Sequence, residues 1–151
     1  MANEDETTAA ETAVEAVALI DVDGDGTVDA VSALIDNGDT VTYVDRDGDG
    51  SIDAVITTNA EDGSSVVAID EDGDGTADVL LVDVDGDGTV DAIITTSEDG
   101  STVIAIDEDG DGTPDVLLVD IDGDGTIDAV ATLDENGEIV EIAEVEKAPE
   151  A

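Results

Sequence analysis

Aspartate stands at positions 1, 3, 5 and 9 of a nine-residue segment that occurs six times in the chain. Glycine holds positions 4 and 6, and threonine or serine holds position 7. The segments, called here loops 1 to 6, cover residues 21–29, 45–53, 70–78, 83–91, 107–115 and 120–128. Position 1 is Asp21, Asp45, Asp70, Asp83, Asp107 and Asp120; position 3 is Asp23, Asp47, Asp72, Asp85, Asp109 and Asp122. Position 5 is Asp25, Asp49, Asp74, Asp87, Asp111 and Asp124; position 9 is Asp29, Asp53, Asp78, Asp91, Asp115 and Asp128. Four carboxylates this close repel one another unless a cation sits among them. Hard oxygen donors in a flexible loop suit Ca²⁺, which takes six to eight oxygens at about 2.3–2.6 Å.

A loop coiled round an ion directs the side chains at positions 1, 3 and 5 inward, and a glycine at position 6 supplies the sharp turn. Glycine at position 4 lets the loop tighten without a Cβ clash. The position-7 carbonyl, from Thr27, Ser51, Thr76, Thr89, Thr113 or Thr126, is expected to add an oxygen, and the position-9 carboxylate to close the site, bidentate. An EF-hand would close instead with Glu at position 12, between helices. Position 12 holds Ser32, Ile56, Leu81, Ile94, Leu118 and Ala131, so that motif is rejected. A solvated acidic surface, as in salt-adapted proteins, does not require acids at four fixed positions. Paired catalytic carboxylates are a further reading. The near-identical copies, without a nucleophile or a distinct site, oppose it, and the chain is not expected to be an enzyme.

The loops resemble the Asp-x-Asp-x-Asp-Gly-x-x-Asp calcium loops of integrin-type β-propellers and of the related FG-GAP and VCBS repeats. In those families one strand enters the loop and the next leaves it. The 13-residue tandem of loops 3 and 4 is similar to thrombospondin type 3 repeats, which use disulfides where this chain has no cysteine. The resemblance covers about residues 17–143, and the unit is too short for four-stranded propeller blades. It implies calcium binding and extracellular structural or adhesive work, and brings no catalytic residues.

The elements that must position these loops are short. Loop starts are 24, 25, 13, 24 and 13 residues apart, which gives a unit of 12–13 residues with some loops degenerate. The degenerate turns are 36–39, 61–64, 98–101 and 135–138, each with Asn-Gly or Asp-Gly, a strong hairpin signal. Residues 58–81 resemble 95–118, a larger period of 37. Between turns lie β-branched runs at 17–20, 30–34, 41–44, 54–58, 66–69, 79–82, 92–96, 103–106, 116–119, 129–133 and 139–143. They predict about eleven strands and no helix among them. Pro114, at position 8 of loop 5, needs no ladder hydrogen bond. The fold class expected is all-β, a tandem short-strand repeat with calcium loops as strand connections. Meander, sandwich and flattened solenoid all satisfy it. Runs such as Val79-Leu80-Leu81-Val82 are apolar on both faces, which favours a sandwich, a solenoid or layers stacked between molecules. The domain is expected over 14–145, with an acidic tail at 1–13, loose or a short helix, and a frayed tail at 146–151.

Composition bounds the function. The 151 residues carry a formal charge of −42, from 44 acids against Arg46 and Lys147. Such a field repels phosphate backbones and anionic lipid, so nucleic-acid partners are excluded, and no run is long enough for membrane insertion. The chain has no Cys and no His, which removes disulfides, zinc and imidazole chemistry. Tyr43 is its one aromatic residue, so a core must come from Val, Ile, Leu and Ala. Aspartates at positions 1, 3, 5 and 9 of the six loops make up 24 of the 44 acids, and six Ca²⁺ would lower the charge to about −30, so the charge is largely a property of the metal sites. The β-branched runs oppose the disorder that such acidity otherwise signals. The start, Met1 to Glu6, lacks the basic and apolar parts of a secretory leader.

These readings converge on a calcium-stabilised structural β-repeat protein of the cell surface or extracellular matrix, with about six Ca²⁺ sites. Strand-like ends at 14–20 and 139–145, without a capping segment, imply calcium-dependent self-association into filaments or a layer. The alternative is a soluble, high-capacity calcium buffer or store. A sensor is disfavoured because no Met-rich or aromatic groove is available to expose. Mineral nucleation is a fourth reading.

Overall fold

The computed structural model describes residues 14–146. The expected tail at 1–13 and residues 147–151 lie outside them. Eleven strands follow one another: β1 (Val14–Ile20), β2 (Ala30–Ile35), β3 (Thr40–Val44), β4 (Ala54–Thr58), β5 (Ser65–Ile69), β6 (Val79–Asp83), β7 (Ala92–Thr96), β8 (Thr102–Ile106), β9 (Val116–Asp120), β10 (Ala129–Leu133) and β11 (Ile139–Glu144). No helix occurs among the described residues. Each interior strand is a β-branched run of five or six residues between glycine-bearing turns, too short for a helix and well suited to a pleated ladder.

All eleven strands form one open antiparallel sheet in sequence order, an uninterrupted meander. Each contacts only its ladder neighbours, so no second layer packs on either face of the described residues. Of the architectures open from sequence, the meander is the one present. Cross-strand partners share a face, and the register carries one row of apolar side chains across the whole sheet. It runs Leu19, Val31, Tyr43, Val55, Ala68, Leu80, Ile94, Ile104, Leu118, Val130 and Ala143. The opposite face carries Val44, Ala54, Ile69 and Val79 in another row. The double-faced apolarity read from sequence is therefore real, but within one molecule both faces stay half-covered. Among the described residues only Ala30 and Ala131 are buried apolar residues, and no large side chain is fully buried.

In a meander, successive connections alternate between the two rims of the sheet. A spacing of 24 or 25 residues spans two strands and returns a loop to the same rim, whereas 13 residues span one strand and reach the opposite rim. Loops 1, 2, 3 and 6 consequently lie on one rim, and loops 4 and 5 on the other. The 37-residue period covers three strands, an odd number. Each copy is therefore inverted end for end relative to the last.

The degenerate segments make the remaining connections. At 35–39 the Ile35 amide donates to the Asp39 carbonyl and the Gly38 amide to the Ile35 carbonyl, and the pattern recurs at 97–101 and 134–138. With Gly38, Gly100 and Gly137 at φ of 91°, 89° and 76°, these are three-residue hairpin loops ending in a left-handed glycine. The segment at 59–64 is one residue longer, closed by Asn59 N–H to the Ser64 carbonyl.

Candidate metal centres

Each loop is fixed by its own aspartates. The position-1 carboxylate accepts two backbone amides, from the glycine at position 4 on Oδ1 at 2.6–2.8 Å and from the glycine at position 6 on Oδ2 at 2.8–3.0 Å. Position 3 accepts the position-5 amide at 3.0–3.3 Å, and position 5 accepts the position-7 amide at 2.7–2.9 Å. Position 9 reaches back across the loop, its Oδ2 accepting the position-2 amide at 2.5–2.7 Å. The backbone closes the neck: each position-9 amide donates to the carbonyl of the residue before position 1, as from Asp29 to Ile20 at 2.9 Å.

The two glycines are what let position 1 collect both amides. Gly24 and Gly26 have φ of 78° and 94°, and the pattern repeats in every loop. Side chains with a Cβ rarely adopt this region. Position 4 therefore has the same left-handed requirement as position 6, which spacing alone did not reveal.

This scaffold gathers carboxylates. Asp21, Asp23 and Asp29 offer oxygens within 4.8 Å of one another, as do Asp45, Asp47 and Asp53; Asp70, Asp72 and Asp78; Asp83, Asp85 and Asp91; and Asp107, Asp109 and Asp115. One further acidic group of this kind occurs among the described residues. Positions 1, 3 and 9 thus come together in these five loops. The position-5 carboxylates, Asp25, Asp49, Asp74, Asp87 and Asp111, stand outside the groups, turned back onto the position-7 amide.

Three of the position-1 carboxylates, Asp83, Asp107 and Asp120, are buried. Burying a carboxylate is costly unless charge or hydrogen bonds compensate it, and the chain's two basic residues cannot serve six loops. Backbone amides provide part of the compensation. Burial works to raise the Asp107 carboxyl, but the amides of Gly112, Gly110, Asp109 and Asp111 together hold it below the usual aspartate value. The amide of Thr27, with its hydroxyl, lowers Asp25 in the same way. Each of the five named loops thus keeps at least three carboxylates clustered together. Three or more carboxylate oxygens without nitrogen or sulfur make a donor set for a hard divalent cation and fit Ca²⁺.

The degenerate turns keep parts of the pattern. Asp62 and Asp99 accept the hydroxyls of Ser64 and Ser101 at 2.7 Å and their amides at 3.0 and 3.1 Å, but they lie outside the five carboxylate groups named above. No helix of the described residues is long and apolar enough to cross a membrane. Comparison with protein-family models, with curated proteins and with solved structures matches the chain to none of them.

Proposed function

We propose that this is a calcium-stabilised structural repeat protein of the cell surface or extracellular matrix, whose sheet is held rigid by about six Ca²⁺ and extended by self-association. The observation that carries the reading is the repeated gathering of three aspartates at positions 1, 3 and 9 on a sheet with almost no buried apolar core. A single layer without a core must draw stability from elsewhere. At roughly millimolar Ca²⁺ and a Kd of about 10⁻⁴ M, typical of extracellular modules, each site contributes about 1.4 kcal/mol by linkage. Six such sites give about 8 kcal/mol, comparable to the stability of an ordinary domain. At submicromolar Ca²⁺ the same sites would contribute essentially nothing, which favours an extracellular setting. No catalytic role is proposed.

Self-association is supported by the sheet's edges. β1 and β11 are exposed along their whole length and leave a row of backbone amides and carbonyls unpaired by the sheet. Edge strands of this kind pair with other chains unless they are blocked. Val17 and Leu19 in β1 are 58% and 68% exposed, and Glu15 is the one charge of that strand. Calcium in the loops lowers the charge that keeps copies apart.

The test pairs thermal unfolding with sedimentation. Removing about 8 kcal/mol from a chain of this size lowers Tm by on the order of 20 °C, so excess chelator is expected to lower Tm by that amount or to abolish the transition. Sedimentation velocity is expected to show larger species in millimolar Ca²⁺ and monomer in chelator. An unchanged melting curve removes the stabilising role, and a strictly monomeric profile removes the assembly. The second reading, a soluble calcium store, is favoured by the acids outside the loops and requires tight, high-capacity binding without assembly.

A further inference from the structure

The loops are joined to one another through the backbone, and not all in the same way. On the first rim the carbonyl of Asp29, position 9 of loop 1, accepts the amide of Asp45, position 1 of loop 2, at 2.8 Å. Asp53, position 9 of loop 2, accepts the amide of Asp70, position 1 of loop 3, at 2.9 Å. Between these lie the necks of the loops, Val44 carbonyl to Asp53 amide and Ile69 carbonyl to Asp78 amide, both at 2.8 Å. One continuous line of hydrogen-bonded peptides therefore passes under loops 1, 2 and 3, and in each loop it includes the residues at positions 1 and 9. On the other rim Asp91 accepts the amide of Asp107 at 2.9 Å and joins loops 4 and 5.

Elsewhere the line leaves the metal-type loops. The carbonyls of Asp78, Asp115 and Asp128 accept amides from Thr96 and Leu133, each at the base of a hairpin, and from Val145, just after β11. Loop 6 shares its rim with loops 1 to 3, but the 97–101 hairpin stands between.

We infer that the loops bind Ca²⁺ as two coupled rows, loops 1-2-3 and loops 4-5, with loop 6 binding by itself. This rests on the proposed reading that the loops hold Ca²⁺. A cation drawing positions 1 and 9 of one loop together fixes their backbone, and that backbone donates to or accepts from a ligand residue of the next loop. The second ion then meets a partly ordered site and pays less for ordering it, which is positive cooperativity without a change of fold. Coupling energies of this kind correspond to factors of about 5–150 in affinity. Charge acts separately. Loops two strands apart are spaced about 10 Å, beyond the roughly 8 Å screening length at physiological salt, so a contribution from charge fades in added salt whereas backbone coupling persists.

The experiment is a Ca²⁺ titration of the full chain followed by amide NMR at the position-6 glycines: Gly26, Gly50, Gly75, Gly88, Gly112 and Gly125. Each donates to its own loop's position-1 carboxylate and so reports on that loop. Asp47→Ala removes a loop 2 carboxylate that lies off the connecting line. It is expected to raise the midpoints at Gly26 and Gly75 by about fivefold or more, with Gly88, Gly112 and Gly125 moving less than about twofold, in 0.1 and 0.5 M KCl alike. Asp109→Ala is expected to shift Gly88 alone among the other loops, and Asp122→Ala none. Should Asp47→Ala not fold, the wild-type titration decides: Gly26, Gly50 and Gly75 share one midpoint, and Gly88 and Gly112 share another. Independent midpoints, a uniform shift at every glycine, or a shift abolished by salt would each overturn the coupling. A wild-type chain with no saturable change at any glycine overturns the calcium reading itself, a different result from binding at independent sites.

Discussion

Gly86 and Gly63, 23 residues apart in sequence, lie in backbone contact: a Cβ built on Gly86 would stand 2.6 Å from the Gly63 carbonyl carbon and 2.5 Å from the Asp62 oxygen. Loop 4 is thereby seated against the neighbouring hairpin on its rim. The contact recurs 37 residues later, where a Cβ on Gly123 would meet Gly100 at 2.8 Å, on the opposite rim. Position 4 of these two loops is constrained twice, by a left-handed φ and by a backbone that cannot move aside.

Gly86→Ala is therefore expected to cost more than Gly73→Ala. At Gly73 nothing stands near the added methyl group, leaving the left-handed penalty of about 1–2 kcal/mol. At Gly86 overpacking against backbone adds about 1–3 kcal/mol. Denaturant unfolding in millimolar Ca²⁺ compares the two, and Gly123→Ala against Gly110→Ala repeats the comparison for the contact of Gly123 with Gly100. Equal losses would show that the loop and the hairpin separate freely.

The unequal roles of position 1 and position 5 give a second outcome. Asp107 is buried and holds the amides of Gly110 and Gly112, whereas exposed Asp111 holds the Thr113 amide. Hydrogen bonds to a charged acceptor contribute about 1.5–3 kcal/mol, and loss of one metal site removes a further ~1.4 kcal/mol at millimolar Ca²⁺. Asp107→Ala loses two such bonds and an oxygen of the gathered carboxylate group, Asp111→Ala one bond at an exposed side chain, so Asp107→Ala is expected to destabilise by at least about twice as much as Asp111→Ala. Both remove one negative charge, so the difference isolates geometry from self-repulsion. Urea unfolding at fixed Ca²⁺ measures it, and a larger effect at Asp111 would reverse the assignment of positions.

Much of this was legible in the chain and some was not. The strands could be read because β-branched runs such as Ala92–Thr96 are bounded by turn chemistry on both sides. All eleven stand where those runs stand, β1 beginning three residues earlier, at Val14. The spacing of the aspartates marked the loops. Whether the apolar row through Leu80 and Ile94 would be covered by a second layer was not legible, because the same alternation serves a meander, a sandwich or a solenoid. The separation of loops onto two rims depends on whether one strand or two lie between them. The contact between Gly63 and Gly86 depends on packing across residues that no local pattern relates. That Asp25 and its counterparts stand outside the named carboxylate groups was not legible either, since position 3 accepts the amide two residues on in the same way and yet belongs to them.

The turn aspartates give a pH outcome outside the metal loops. The Ser64 hydroxyl, followed by its amide, holds Asp62 below the usual 3.8, and Ser101 does the same for Asp99. Asp134 is lowered by the amides of Glu138 and Asn136. A carboxyl lowered on folding adds stability above its unfolded pKa, and that stability is lost as pH falls through the folded value. Carboxyl-detected NMR titration is expected to find Asp62 and Asp99 still ionised at a pH where an unperturbed aspartate is half protonated. Ser64→Ala and Ser101→Ala are each expected to move their own aspartate back toward 3.8. Unmoved titrations would show that the hydroxyls do not hold these turns.

Calorimetric titration of Ca²⁺ into rigorously stripped protein at physiological salt tests the central claim most directly. Saturable binding of about six ions is expected, with Kd values from tens of micromolar to about a millimolar, and about one ion fewer in Asp109→Ala. Heat without saturation, as for diffuse counterions around an acidic surface, would contradict it and leave the six aspartate loops as turns alone.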